Sequence, residues 1–516
     1  MRGRTHEGVF EEEVAELRRS GLPPARQRGF YVRVTLAVAA AVVLVFVSLL
    51  AGYFVEHSPS LSGDTPGLVM GAAVANDCLG AGTFTRCGTS TALRAQIQGY
   101  RWKSAVRPWP PFQYLIAMPL LALGTSQSHV LLALALFNAA AFFLVLALFA
   151  IVPWRTGNPA LIPALVAIVL VSPLLFYADQ TFGEMLAAGL AVAAVAAVAL
   201  RASPSVIAVA TCASGLTKET APIFAVALGL IVALRSDGRR ALALAVPVMC
   251  GGIVAWLIDT AFNVFRYGHV QNIDYLAPVL QVHSTSVRLN FFAALLVSPN
   301  GGIVWFWTAA AVFLAATLTT ALLARPRLRK RGLLALALLA VIGALLLGLA
   351  DWYAPFGWIA WGPRLTLPWV PAFLLVAAVA CPAEARRVVH ADTAGTARAT
   401  LTFATLAITG LPQVAVLYDT LAPGRLFNTN TASHCPIEAI WGTTGYFNCV
   451  RYLAWRHSPV LLDALHGLLT VPGFLFGFAM CAALAGLGYV ANGPARQPAA
   501  AVAVTQPEPL SARYET

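Results

Sequence analysis

Apolar runs long enough to cross a bilayer recur along this chain, and arginines gather in the short links between them. The runs are Val34–Phe54, His129–Ile151, Ala160–Tyr177, Glu184–Leu200, Ser203–Gly215 and Glu219–Leu234. Further along come Ala241–Phe262, Ile303–Ala324, Leu333–Leu349, Thr366–Cys381, Thr400–Tyr418 and His466–Ala491. With roughly 20 apolar residues needed per crossing, they predict about 12 transmembrane helices, several of them short. The composition agrees: 59% of residues are hydrophobic and 11% charged, against about 25% charged in soluble domains. So much apolar surface requires lipid as solvent, and in lipid only self-satisfied helices or closed barrels survive. The expected fold class is therefore all-α, a polytopic membrane protein.

Charge sets the expected orientation. Arg18, Arg19, Arg26, Arg28 and Arg33 precede the first run, which is too long and too apolar for a signal-peptide core. Counting alternately from an inside start puts Arg155, Arg201, Arg235, Arg239, Arg240, the 325–331 stretch RPRLRKR and the 383–387 stretch AEARR on the cytoplasmic side. The net charge of +12 is then a topological signal. No basic stripe interleaved with aromatics argues for nucleic acid.

The domain plan follows. Residues 1–33 form a cytoplasmic segment, residues 34–491 a transmembrane domain, and residues 492–516 a disordered cytoplasmic tail rich in Ala, Pro and Gln. Long extracytoplasmic loops are expected at 57–128, 266–300 and 419–459. The Pro-broken stretch 108–124 is too short to cross, and is expected as an interfacial or re-entrant helix.

Of the eight cysteines, four lie in apolar runs and four fall as close pairs in the outer loops, Cys78 with Cys87 and Cys435 with Cys449. Such pairs predict two local disulfides in an oxidising compartment, with chance pairing as the alternative. Neither pair has zinc-ligand spacing. No metal and no certain cofactor is assigned, although a divalent cation is possible.

Charged residues at membrane depth are costly and tend to mark function. At the outer ends of the runs stand Asp64 in SGDTPGLVMG, the 177–184 stretch YADQTFGE with Asp179 and Glu184, and TKET with Lys218. Arg266 in FRYGH, SPNGG at 298–302 and DWYAPFGWIAWGPR at 351–364 share that depth. A lipid-linked phosphate donor in the outer leaflet would present its anion there. Lys218 and Arg364, joined by Arg266, could neutralise it. Asp64 could take the proton of an acceptor hydroxyl. Asp77, Asp179 and Glu184 are further candidate acids, and Trp352, Tyr353, Trp358 and Trp361 could contact sugar or lipid. Plainer roles compete: Asp64 as a helix cap, Arg364 as a snorkelling residue, Lys218 as the ion-pair partner of Glu184 or Glu219.

The order of these pieces resembles the GT-C superfamily of polyprenyl-phosphate-sugar-dependent glycosyltransferases, relatives of the protein mannosyltransferases, aminoarabinose transferases and mycobacterial arabinosyltransferases. The likeness rests on Asp64 soon after the first helix, PWPPFQYLIAMPLLALG, LTKET, LLVSPNGGIVWF and WIAWGPRLTLPWVPAF, and spans about Val34 to Cys381. Many members carry two adjacent acids in the first loop, whereas Asp64 is followed by Thr65. The resemblance implies an inverting hexosyl- or pentosyltransferase of the cell envelope. Its donor would be a polyprenyl-phosphate-linked sugar and its acceptor a glycan, glycolipid or protein. A secondary transporter or lipid flippase is the alternative, but no half-repeat is visible.

Overall fold

A computed structural model describes residues 65–79, 111–178, 180–218, 220–270, 284–323, 329–352, 355–357, 361–389, 406, 408–418, 444–455 and 460–491. The expected first span and tail, together with Asp64, Asp179, Glu219, Tyr353, Trp358, Cys87 and Cys435, lie outside the described residues.

The described chain is helical throughout. In order the helices are α1 (Thr65–Cys78), α2 (Pro111–Ala122), α3 (Gln127–Arg155), α4 (Ile162–Leu170), α5 (Leu174–Ala178), α6 (Gly183–Ala199), α7 (Pro204–Gly215), α8 (Ala221–Ala233) and α9 (Arg239–Tyr267). Then come α10 (Thr285–Val297), α11 (Ile303–Phe306), α12 (Thr308–Leu323), α13 (Arg329–Ala350), α14 (Val370–Ala380), α15 (Pro382–Val389), α16 (Thr444–Ala454), α17 (Val460–Ala464) and α18 (Val471–Ala491).

The expected count of about 12 spans is not confirmed by the described helices, and the expected span Val34–Phe54 lies outside them. Three are long and apolar enough to cross a membrane: Ser128–Arg155, Arg239–Phe265 and Lys330–Ala350. Counting two sharply bent pairs as one span each raises this to five. Several of the expected runs are broken or short among the described residues. Proline lacks the N–H a helix interior needs and clashes with the preceding turn. Pro173 separates α4 from α5, and Pro382 starts α15 at 104° to the helix before it. The run Ile303–Ala324, expected as one span, turns at Trp307 into α11 and α12. α7 and α8 hold only 12 and 13 residues. At 1.5 Å per residue, α7 rises about 18 Å, short of a ~30 Å hydrocarbon core.

The core gathers α3 to α8 with α12 to α14. Phe142, Leu165, Val192, Val232, Leu338 and Leu374 pack in one apolar cluster. α6 is its axis, with 13 of its 17 residues buried. Its Ala-rich sequence lets neighbours approach closely: a Cβ on Gly189 would meet Ala141 Cβ at 2.9 Å. Elsewhere large apolar side chains stay exposed, among them Trp256, Leu257 and Ile258 on α9 and Phe474, Leu475 and Phe478 on α18. Such bands suit lipid contact and would be a liability in water.

The two ends of α6 differ in charge. Near its C-terminal end the basic links converge: Lys330 Nζ donates to the Arg235 carbonyl at 3.3 Å and pairs with Asp237, and Arg331 Nη1 reaches Glu384 Oε1 at 3.1 Å. Burial and the neighbouring Arg331 and Arg201 guanidiniums hold the Arg235 pKa below its usual value. Arginines distant in sequence thus share one end of the bundle. Glu184 opens α6 at the other end, about 23 Å away along the axis.

Cys78 and Cys449 are each disulfide-bonded. Because Cys87 and Cys435 lie outside the described residues, the pairings remain expectations. Cys212, Cys250, Cys381 and Cys481 are free.

Candidate active site

Glu184 sits in the first turn of α6 and is 5% exposed. Lys218 Nζ donates to its Oε1 at 2.8 Å, and Arg364 Nε lies 3.4 Å from the same oxygen. Residues far apart in sequence therefore meet on one carboxylate. Of the two candidate partners for Lys218, Glu184 is paired with it, and Glu219 lies outside the described residues. The Arg364 side chain is 7% exposed and that of Lys218 21%, so Arg364 is enclosed and not a snorkelling residue, while Lys218 is partly exposed. Among the described residues, two cations thus meet on one carboxylate.

Each member is held by neighbours. Phe182, just before α6, places its ring 4.4 Å from Arg364 Cζ, a cation–π contact. The Gln180–Phe182 turn is clamped from α3, where Asn138 Nδ2 donates to the Gln180 carbonyl at 2.7 Å and the Phe182 carbonyl at 2.5 Å. The loop that carries Arg364 is tied to the Tyr177 hydroxyl, which donates to the Trp361 carbonyl at 3.1 Å and accepts from the Trp361 N–H at 2.9 Å. Trp361 Nε1 donates to Gln413 Oε1 at 2.7 Å. Gly357 and Gly362 have φ of +90° and +67°, a region glycine enters without steric cost. Cβ atoms there would collide with Arg364 and Phe306 respectively.

α2 covers this cluster. The Phe112 N–H donates to the Leu216 carbonyl at 3.1 Å, and Tyr114 meets Phe262 edge-on with ring centroids 5.0 Å apart. Within the stretch 108–124 the described residues form a 12-residue helix packed on α1 and α3, touching α9 and the residue after α7.

The other expected site residues are less central. Arg266 lies in the last turn of α9, and its side chain is outside the described atoms. Asp77 is exposed near the end of α1. Trp352 packs partly buried beside Phe291 and Phe356. Trp361 corrects an expectation: it is 1% exposed and packed edge-on against Phe306. Its ring supports the Arg364 loop and has no face left for sugar or lipid. Among the described residues, no group of three His, Cys, Asp or Glu could hold a metal.

Sequence reasoning missed Asn138, Phe182 and Gln413. Asn138 had a signal, since an amide within an apolar run is costly without partners. Phe182 had none, because only the fold lays its ring beside Arg364.

Fold and site together define a helical membrane protein with a buried cluster of two cations and one acid at the end of the bundle opposite its basic links. No protein-family model matches the chain, and no curated protein matches it. Among solved structures, the chain is similar to ArnT from Cupriavidus metallidurans bound to undecaprenyl phosphate, at 17% identity and a TM-score of 0.43. That match covers 89% of this chain and 77% of the other. The apo form of the same protein matches at 18% identity and a TM-score of 0.40, covering 91% and 78%.

Proposed function

We propose that the protein is a membrane glycosyltransferase that moves a sugar from a polyprenyl-phosphate donor to an acceptor hydroxyl on the extracytoplasmic face. One observation carries this reading: Lys218 and Arg364, from different elements, converge on the single carboxylate of Glu184. Two cations brought together at the end of the bundle opposite its basic links suit a lipid-borne phosphate. The order of motifs along the chain supports the same donor class.

In this reading Arg364 forks onto phosphate oxygens and Lys218 adds a point charge, with Arg266 joining from α9. Glu184 holds both cations in place before the donor arrives. Asp64 accepts the proton of the acceptor hydroxyl as its oxygen attacks the anomeric carbon. The bond from that carbon to the phosphate oxygen breaks, the electron pair stays on the prenyl phosphate, and the sugar inverts. Lys218 and Arg364 stabilise the charge that develops on the departing phosphate.

The test uses purified protein in nanodiscs with a polyprenyl phosphate as ligand. Lys218→Ala and Arg364→Ala should each weaken binding about 10- to 100-fold, the range expected for a charge-assisted hydrogen bond. Transfer from a polyprenyl-phosphate sugar should fall in parallel. Unchanged binding in the double variant would overturn the reading. Movement of the donor across sealed vesicles without transfer would favour a flippase.

A further inference from the structure

Among the described residues, Arg201 is the non-glycine residue with a positive φ, 54°. It closes the end of α6 in a Schellman turn. Its N–H donates to the Val198 carbonyl at 3.1 Å, and the Ala202 N–H donates to the Ala197 carbonyl at 3.0 Å. Glycine takes this left-handed conformation without steric cost, and a residue with a side chain does not. The helix end by itself would be better served by glycine, yet an exposed arginine stands there.

α8 runs beside α6 in the same direction, because Lys218, just ahead of α8, meets Glu184 at the start of α6 and the two helices pack together. Arg235 therefore follows the end of α8 as Arg201 follows the end of α6. Lys330 ties in the start of α13, its Nζ donating to the Arg235 carbonyl at 3.3 Å, with Arg331 the next residue. Burial, and then the guanidiniums of Arg331 and Arg201, hold the Arg235 pKa below its usual value. Three guanidiniums from three links thus act on one another. Among the described residues, the acids at this end are Asp237, paired with Lys330, and Glu384, fully buried against Arg331. Exposed leucines flank the cations: Leu234 precedes Arg235, and Leu333 stands two residues after Arg331.

We propose that Arg201, Arg235 and Arg331 hold the phosphate headgroup of an anionic phospholipid, whose acyl chains lie on Leu234 and Leu333. Guanidiniums match phosphate oxygens in geometry as well as in charge. A soluble anion would use the cations alone, whereas a lipid also covers the leucines beside them. The site lies at the opposite end of α6 from Glu184 and does not depend on the glycosyltransferase reading.

The test compares the full-length protein in nanodiscs of phosphatidylcholine alone and with phosphatidylglycerol added. Tm and the phosphatidylglycerol retained in native mass spectrometry are read together. Arg201→Gly removes the charge and gives the turn the residue it favours. In neutral discs this variant should melt at or above the wild-type temperature, so that lost lipid is not lost folding. Arg201→Gly and Arg235→Gln should each weaken phosphatidylglycerol retention about fivefold, the share of one basic side chain at an anionic surface. Both should also shrink the rise in Tm that phosphatidylglycerol gives wild type. Arg155→Gln, which removes an exposed arginine from the end of α3, should leave retention near the wild-type level. Equal losses in all of these variants would mean diffuse attraction and overturn the site, as would wild-type retention in both cluster variants. Inorganic phosphate at matched ionic strength should not reproduce the rise in Tm. If it does, the ligand is a free anion and the lipid proposal fails.

Discussion

Gly357 and Arg364 are in direct contact: a Cβ built on Gly357 would lie 2.9 Å from Arg364 Nε and 3.1 Å from its Cβ. The glycine has a φ of +90°, so both its missing side chain and its backbone freedom serve the arginine. Gly357→Ala should cost about 1–3 kcal/mol through backbone strain and push the guanidinium away from Glu184. The expected outcome is a lower Tm together with weaker binding of a polyprenyl phosphate. A variant that loses stability but binds the phosphate normally would separate Gly357 from the site.

Removing the carboxylate should leave both cations without the acid they share. Glu184→Gln leaves Lys218 and Arg364 close together without their shared anion. Breaking a buried pair in this way costs about 3–5 kcal/mol. A polyprenyl phosphate would then supply the missing negative charge, and its stabilising effect should grow. Thermal shifts at matched ligand concentrations check this: the rise in Tm on adding ligand should be larger in Glu184→Gln than in wild type.

Asn138 acts through the turn it holds. Asn138→Leu keeps approximate volume and leaves the Gln180 and Phe182 carbonyls without their donor, at about 1–3 kcal/mol each. Loosening that turn moves the Phe182 ring and the start of α6 together. Hydrogen exchange should rise over residues 180–186, and KM for the donor should rise more than kcat falls. Unchanged exchange in that segment would show that the turn is held by other contacts.

Asp64 precedes α1, and the assignment of the base to it rests on its place in the sequence. Asp64→Asn keeps the shape and most of the capping ability of the side chain while removing its basicity. Expression and Tm should be unchanged, and transfer should fall about 10²- to 10⁴-fold, the usual contribution of a general base. Wild-type transfer rates would reduce Asp64 to a helix cap.

The helical class and the position of most helices were legible along the chain, because apolar runs and their arginine-bearing links are local signals. The convergence of Arg235, Lys330 and Arg331 at one end agrees with the grouping expected from charge alone. The break at Trp307 and the bends at Pro382 and Val471 were not legible as such. Whether a run continues as one helix depends on what its neighbours can satisfy, not only on its hydropathy.

The site divides in the same way. Glu184, Lys218 and Arg364 could be nominated singly, since each is a charge at the edge of an apolar run, and such charges are expensive in lipid. Sequence alone also settled that the chain belongs in a membrane, through its proportion of apolar to charged residues. What it left open was which charges meet. Lys218 had two candidate acids, and Arg364 had a plausible life as a surface residue. Tertiary structure brought Lys218 and Arg364 to Glu184, by packing α6 against α7, α8 and α14 so that one carboxylate receives two cations, and by turning the Trp361 ring inward to carry the Arg364 loop. Hydropathy is a property of single side chains and their immediate neighbours. Pairing is a property of distances between segments far apart in the chain, which only the packed core sets.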